Sequence, residues 1–190
     1  MRSDLGATET ATADLVTLMQ GGDRAAFEEL LRLEVGRLVR LASAITGNEA
    51  DAYDALQETL TIAWRRSSTL RDHDRFPGWL TKILINESRH VIRKRARNSV
   101  AEATLIHRSP TPLPASTVED GVADQDRLER AFERLTPRHR ALLALHHLEQ
   151  QSINDIGYAL GLRPGTVKSQ LFSARKALAD ALSEEDRDAP

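Results

Sequence analysis

In every patterned stretch of this 190-residue chain the apolar side chains recur at steps of three and four, and no stretch alternates convincingly with a period of two. Such spacing lines one face of an α-helix and gives a strand no consistent buried side, so the expected fold class is all-α. From Asp23 to Asn48 the stripe is Phe27, Leu30, Leu31, Leu38, Leu41, Ala42 and Ile45, with Asp23 as N-cap and Gly47-Asn48 as stop. A second helix, from about Glu49 to Arg66, turns Ala52, Ala55, Leu56, Leu60 and Ala63 inward. A looser segment leads to Pro77-Gly78, where a third helix opens with Trp79 and Leu80, continues through Ile83, Leu84 and Val91, and ends in Arg93, Lys94, Arg95 and Arg97. Core packing is the first assignment for Trp64, Phe76 and Trp79, and for Trp64 above all.

The periodicity stops between Asn98 and Asp126, where Pro110, Pro112, Pro114, hydroxyl residues and the acids Glu119, Asp120, Asp124 and Asp126 gather. This composition reads as a flexible linker. Helical patterning returns with Leu128, Ala131, Phe132 and Leu135 and restarts at Thr136-Pro137, an N-cap followed by a first-turn proline. Ser152 and Asp155 form an acidic capping box for the next helix, which Gly161 ends. After Leu162-Arg163-Pro164-Gly165 a last helix buries Val167, Leu171, Ala174, Leu178 and Leu182. The expected plan is an N-terminal extension over 1–22, a helical domain over 23–98, a linker over 99–126, a second small helical domain over 127–183 and a tail over 184–190.

Several function classes fall away at once. Cysteine is absent, so no disulfide framework, thiolate zinc site, iron–sulfur cluster or thiol nucleophile can form. His146, His147, Glu149 and Asp155 lack any HExxH spacing, and neither a phosphate loop nor a nucleophile elbow accompanies them. No catalytic residue, metal or cofactor is expected. Residues 1–22 contain acids and no apolar run of signal or membrane-spanning length, which makes a cytoplasmic protein without membrane insertion the expectation. The net charge of −2 names no partner; its distribution has to do so.

Three polar faces stand out. On the last helix, removal of the buried stripe leaves Lys168, Ser169, Phe172, Arg175 and Lys176 toward solvent. Two short helices with a glycine-containing turn have helix-turn-helix form, and in a major groove cations, a hydroxyl and an aromatic can meet base edges, phosphates and thymine methyls. On the second helix Asp54, Gln57, Glu58 and Thr61 form one polar stripe, whose like charges would suit a cationic partner. On the third, Lys82, Asn86, Arg89, Arg93 and Arg97 align four cations and an amide, a face for phosphates with one base-reading group. Each face also fits a plain solvated helix surface.

The ordered set of motifs resembles the extracytoplasmic-function group of the sigma-70 family of bacterial sigma factors. Gly22-Asp-Arg-Ala-Ala-Phe-Glu-Glu-Leu-Leu31, Ala50-Asp-Ala-Tyr-Asp-Ala-Leu-Gln-Glu-Thr59, Ala63-Trp64, Gly78-Trp-Leu80 and the basic run are similar to region 2. Leu135-Thr-Pro-Arg-His-Arg140, Ile153-Asn-Asp-Ile-Gly-Tyr-Ala-Leu-Gly161, Gly165-Thr-Val-Lys-Ser169 and Ala174-Arg-Lys-Ala-Leu178 are similar to region 4. The resemblance implies a factor that binds core RNA polymerase and directs promoter recognition, DNA opening and initiation. It implies that Asp54, Gln57, Glu58 and Thr59 dock on the clamp helices of the largest polymerase subunit, with Thr61 on the same stripe. Asn86 and its basic row would recognise and open the minus-ten element, and Thr166, Lys168, Ser169, Phe172 and Arg175 would read the minus-thirty-five element. The polymerase flap, promoter DNA and an anti-sigma protein are the other implied partners. His90, Glu87, Arg89, Gln170 and Ser173 depart from the family's usual residues, and Asp72-His-Asp-Arg75 occupies the place of its base-selecting loop. The competing expectation is a stand-alone helix-turn-helix regulator, which accounts for the C-terminal half alone.

Overall fold

The computed structural model describes residues 3–105 and 120–188, and side chains over 11–98, 127–185 and at 187. All described elements are helical: α1 (Ser3–Gln20), α2 (Arg24–Thr46), α3 (Glu49–Arg65), α4 (Phe76–Leu105), α5 (Asp120–Glu133), α6 (Pro137–Leu143), α7 (Ile153–Leu160) and α8 (Pro164–Asp188). Two single 3-10 turns, Ser67–Thr69 and His73–Arg75, connect α3 to α4, and a π-helical turn, Ala144–Leu148, prolongs α6. No described helix is long and apolar enough to cross a membrane.

The ends fall where local chemistry sets them. Asp23 accepts from the amides of Ala25 and Ala26, and Asn48 caps α3 by accepting from Asp51. Gly47 closes α2 in the left-handed region at φ 66°. Thr136 accepts from His139, and Ser152 both caps α7 and bonds the Asp155 carboxylate. In α2, Phe27, Leu30, Leu38, Leu41, Ala42 and Ile45 are buried as their spacing requires, while Leu31 is half-buried.

The structure departs from the sequence reading in four places. Residues 3–20, set apart in the sequence reading as an N-terminal extension outside the first helical domain, form a helix whose Val16 and Met19 bury completely against that domain's core. Helical backbone extends through Leu105 and resumes at Asp120, so both ends of the expected linker belong to helices; the prolines between lie outside the described residues. Ser99 to Leu105 hold no proline or glycine to stop α4. The third helix begins at Phe76, with Pro77 inside its first turn, three residues before Trp79. Trp64 is 36% exposed, its ring tilted over Phe27 at 5.3 Å, whereas Phe76 and Trp79 are buried.

α2, α3 and α4 pack as one bundle with α1 on its flank; α6, α7 and α8 pack as a second, and α5 lies along α8. The two share a continuous core, since α4 packs on α7 and α2 on α6. Gly78 lets the Tyr158 ring of α7 lie close on α4: a Cβ there would stand 3.4 Å from that ring. Arg37 stitches the same seam, pairing with Glu34, donating to Thr81 Oγ1 and the Pro77 carbonyl, and lying 3.8 Å from the Glu149 carboxylate, which Arg40 approaches at 3.7 Å.

Candidate nucleic-acid interface

The turn between α7 and α8 is built by two glycines. Gly161 takes φ 67°, and the Leu162 amide turns back to the Gly157 carbonyl at 2.8 Å. A Cβ on Gly157 would stand 2.8 Å from the Leu162 carbonyl oxygen, so a side chain there would force the two helices apart. Val167, Leu171 and Ala174 anchor α8, which leaves Lys168, Ser169, Phe172, Arg175 and Lys176 exposed as expected, and Thr166 half-buried. Phe172 is 73% exposed. Arg175 donates toward His147 Nε2 at 3.4 Å. Burial first, then His146 and Arg175, holds the His147 imidazole below its ordinary pKa, so the nitrogen facing Arg175 stays free to accept.

On α4, Lys82, Asn86, Arg93 and Arg97 are exposed and Arg89 is half-buried. Burial, then the positive charges of Arg138 and Arg93, lowers the Arg89 pKa from its ordinary value. Arg138 belongs to α6, so the second bundle already reaches this row. At its other end the Lys82 ammonium and the Arg75 guanidinium lie 5.8 and 5.1 Å from the centre of the Tyr158 ring.

Asp54, Gln57 and Glu58 project from α3, with Thr61 half-buried and its hydroxyl turned back to the Gln57 carbonyl. Thr59 is a correction: it is fully buried and donates to the Ala55 carbonyl at 2.6 Å, because its position lies on the α3 face that packs into the bundle. Sequence reasoning missed the residues that complete this site. Glu87, His90 and Lys94 of α4 join Asp54, Gln57, Glu58 and Thr61 around one polar hollow. They form a row beside the basic one, so α4 serves both faces; the steps of three and four linking 87, 90 and 94 were the available signal.

His146 and His147 are brought to 4.6 Å between ring centres by the π turn, where an α-helix would turn neighbours apart. Their proposed companions are engaged elsewhere, Glu149 with Arg37 and Arg40 and Asp155 with the Ser152 cap. Among the described residues no three metal-ligating side chains meet.

Residues 30–98 match the sigma-70 region 2 family and residues 125–178 the sigma-70 region 4 family. Curated relatives include the ECF RNA polymerase sigma factor SigM of Mycobacterium tuberculosis, 31% identical over 93% of this chain and 87% of that protein. SigE of Mycolicibacterium smegmatis, another ECF RNA polymerase sigma factor, is 34% identical over 85% of this chain, which spans 65% of the longer relative. Among solved structures, the sigma factor RpoE in complex with the anti-sigma factor NepR from Bartonella quintana superposes with a TM-score of 0.65 at 26% identity, covering 83% of this chain and 96% of that one. The chain belongs to the extracytoplasmic-function group of the sigma-70 family, and is a sigma factor directing transcription initiation. Both regions, in order on one chain, support this reading over a stand-alone regulator.

Proposed function

We propose that this sigma factor docks on core RNA polymerase through the hollow formed by Asp54, Gln57, Glu58, Thr61, Glu87, His90 and Lys94. Lys82, Asn86, Arg89, Arg93 and Arg97 then hold the minus-ten element, and Thr166, Lys168, Ser169, Phe172, Arg175 and Lys176 read the minus-thirty-five element. The observation that carries this reading is one helical bundle exposing an acidic stripe on α3 and a basic row on α4, each opposite the buried side chains that hold its helix in the bundle. Such faces suit two partners of opposite charge, a basic protein surface and a phosphate backbone. Stacking and pocket contacts to unpaired bases offset the loss of pairing when the duplex opens. The protein acts by binding, as cytoplasmic partner of the polymerase, and takes no part in bond chemistry.

The two elements are separated by roughly 25 base pairs, about 85 Å of duplex axis. A compact body of this length is only about 40 Å across. Promoter binding therefore requires α7 and α6 to leave α4 and α2. The same seam gives an anti-sigma protein its purchase. A groove of about 1140 Å³, lined by Val39, Leu56, Leu128, Phe132, Leu178 and Leu182 among others, runs between the bundles. An amphipathic segment seated there would hold the closed form.

The test is co-migration with core bacterial RNA polymerase on size exclusion, without DNA. A stoichiometric complex that is lost on Asp54→Lys with Glu58→Lys, in a protein of unchanged helicity, supports the reading. Absence of a complex with the wild-type protein at several salt concentrations overturns it.

A further inference from the structure

The segment joining α3 to α4 is fastened from outside the region 2 match, by the last residue of α1. Gln20 donates from Nε2 to two main-chain carbonyls of that segment, Ser67 at 2.9 Å and Leu70 at 2.7 Å. Its Oε1 lies 3.2 Å from Nε2 of His73, and the other ring nitrogen of His73 lies 3.3 Å from Thr17 Oγ1. Both amide hydrogens of Gln20 go to carbonyls, which turns the acceptor Oε1 toward Nε2 of His73. Val16 and Met19 seat α1 on the bundle, and Leu70, the one buried residue of the segment, seats the loop beside it.

What the fastening leaves free is the polar edge of the loop. Ser68, Thr69, Arg71, Asp72, Asp74 and Arg75 are exposed. The loop also borders the basic row of α4: Arg75 and Lys82 both approach the Tyr158 ring, so the end of the loop and the start of the row meet at one side chain of α7. A strand of nucleic acid following Lys82, Asn86 and Arg93 runs onto these exposed side chains. Their usefulness for discriminating bases depends on the backbone that carries them being held still, because a contact misplaced by an ångström loses most of its selectivity. Two 3-10 turns supply little rigidity of their own.

We infer that α1 is a strut for promoter reading: Gln20, with Thr17 and His73, positions the 67–75 loop so that its exposed polar residues discriminate bases of the opened minus-ten strand. This rests on the assignment of α4 to the minus-ten element. Gln20 is a positioning residue, touching no DNA itself.

The experiment compares the full-length wild type with Gln20→Glu and Gln20→Ala. Gln20→Glu keeps the shape and the oxygen facing His73 but turns lone pairs toward the two carbonyls. Amide hydrogen exchange over residues 67–75 should quicken by about tenfold in both variants, the scale of one to two lost hydrogen bonds, with exchange in α2 and α8 unchanged. Core polymerase carrying each protein is then given linear templates with a randomised 50-base-pair upstream region, and the transcribed templates are sequenced. Polymerase binding and the selected minus-thirty-five bases should match the wild type, while base preference flattens at one or two minus-ten positions. A structural defect alone would lower transcript yield from all templates together. Unchanged loop exchange, or a looser loop with unaltered base preference, overturns the strut and leaves the sigma reading standing. A wild-type protein that selects no minus-ten bases overturns the strut together with the assignment of α4 to the minus-ten element.

Discussion

Single residues decide matters here that their chemistry alone does not announce. Thr59 and Glu58 are neighbours in the sequence, yet one is buried against the Ala55 carbonyl and the other lines the polar hollow. Gly47 has two reasons to lack a side chain, its φ of 66° and the Arg140 guanidinium, whose Nη1 would stand 2.7 Å from a Cβ. Arg140 is itself nearly buried, and burial pulls its pKa below the ordinary value while Glu133 partly restores it. Gly47→Ala is expected to destabilise the protein by about 1–2 kcal/mol in chemical denaturation, the cost of left-handed backbone for a residue with a Cβ. Phe172→Ala provides the contrast. Because that ring is almost free in solution, its loss should change stability by no more than about 0.5 kcal/mol. Together with Lys168→Ala, it should weaken binding of the polymerase complex to a selected promoter by about 1–3 kcal/mol, leaving association with core polymerase intact. Promoter affinity that survives both changes would remove α8 from the minus-thirty-five element.

At the scale of elements, the described part of α5 has little apolar anchorage. Among its described side chains Ala131 is buried and Phe132 half-buried, while Leu128 remains 46% exposed. Ion pairs with α8 supplement that anchorage: Arg130 meets Glu185 at 2.8 Å, and Arg134 meets Glu185 at 2.6 Å and Glu184 at 3.2 Å. The hydrogen bond from Arg130, outweighing partial burial and helped by the charges of Arg134, Arg130 and Arg127, holds the Glu185 carboxyl below its usual range. A carboxylate with a depressed folded pKa contributes stability above its unfolded value and loses it as pH falls through the folded value. The difference in thermal midpoint between wild type and Glu185→Gln should be greatest near pH 7 and close as the pH is lowered below about 4. A difference independent of pH would show that the pair does not stabilise the docking of α5.

The whole molecule is closed, with the second bundle resting on the start of the basic row. Its seam mixes apolar packing around Ile156 and Leu80 with the Arg37–Glu149–Arg40 group. Such mixed interfaces between small domains can separate without unfolding either one. The absence of cysteine allows labels to be placed at will. Donor and acceptor dyes on Arg65→Cys and Asp180→Cys, both exposed positions, should report a fall in energy transfer when core polymerase and promoter are added. Glu149→Gln should move the free protein part of the way toward that value. Energy transfer unchanged by polymerase and promoter would mean that the factor engages DNA in its closed form.

The sequence by itself determined the helical class, the caps at Asp23, Asn48, Thr136 and Ser152, and the faces of α4 and α8, because each depends on residues within a turn or two of one another. It also carried the family, whose motifs are local runs of that kind. Four features needed the tertiary structure. α1 was illegible because its stripe reduces to Val16 and Met19 in an otherwise weakly patterned stretch, and burial against α2 supplies what periodicity does not. Trp64 had enough apolar surface for the core but lies at its rim, where Phe27 covers one face of the ring. Glu87, His90 and Lys94 became part of the polar hollow only when α4 packed on α3, and the Gln20–His73 contact joins residues 53 apart. Local patterns set which faces a helix has; which faces meet is settled by long-range packing, for which a stretch of sequence read alone holds no partner.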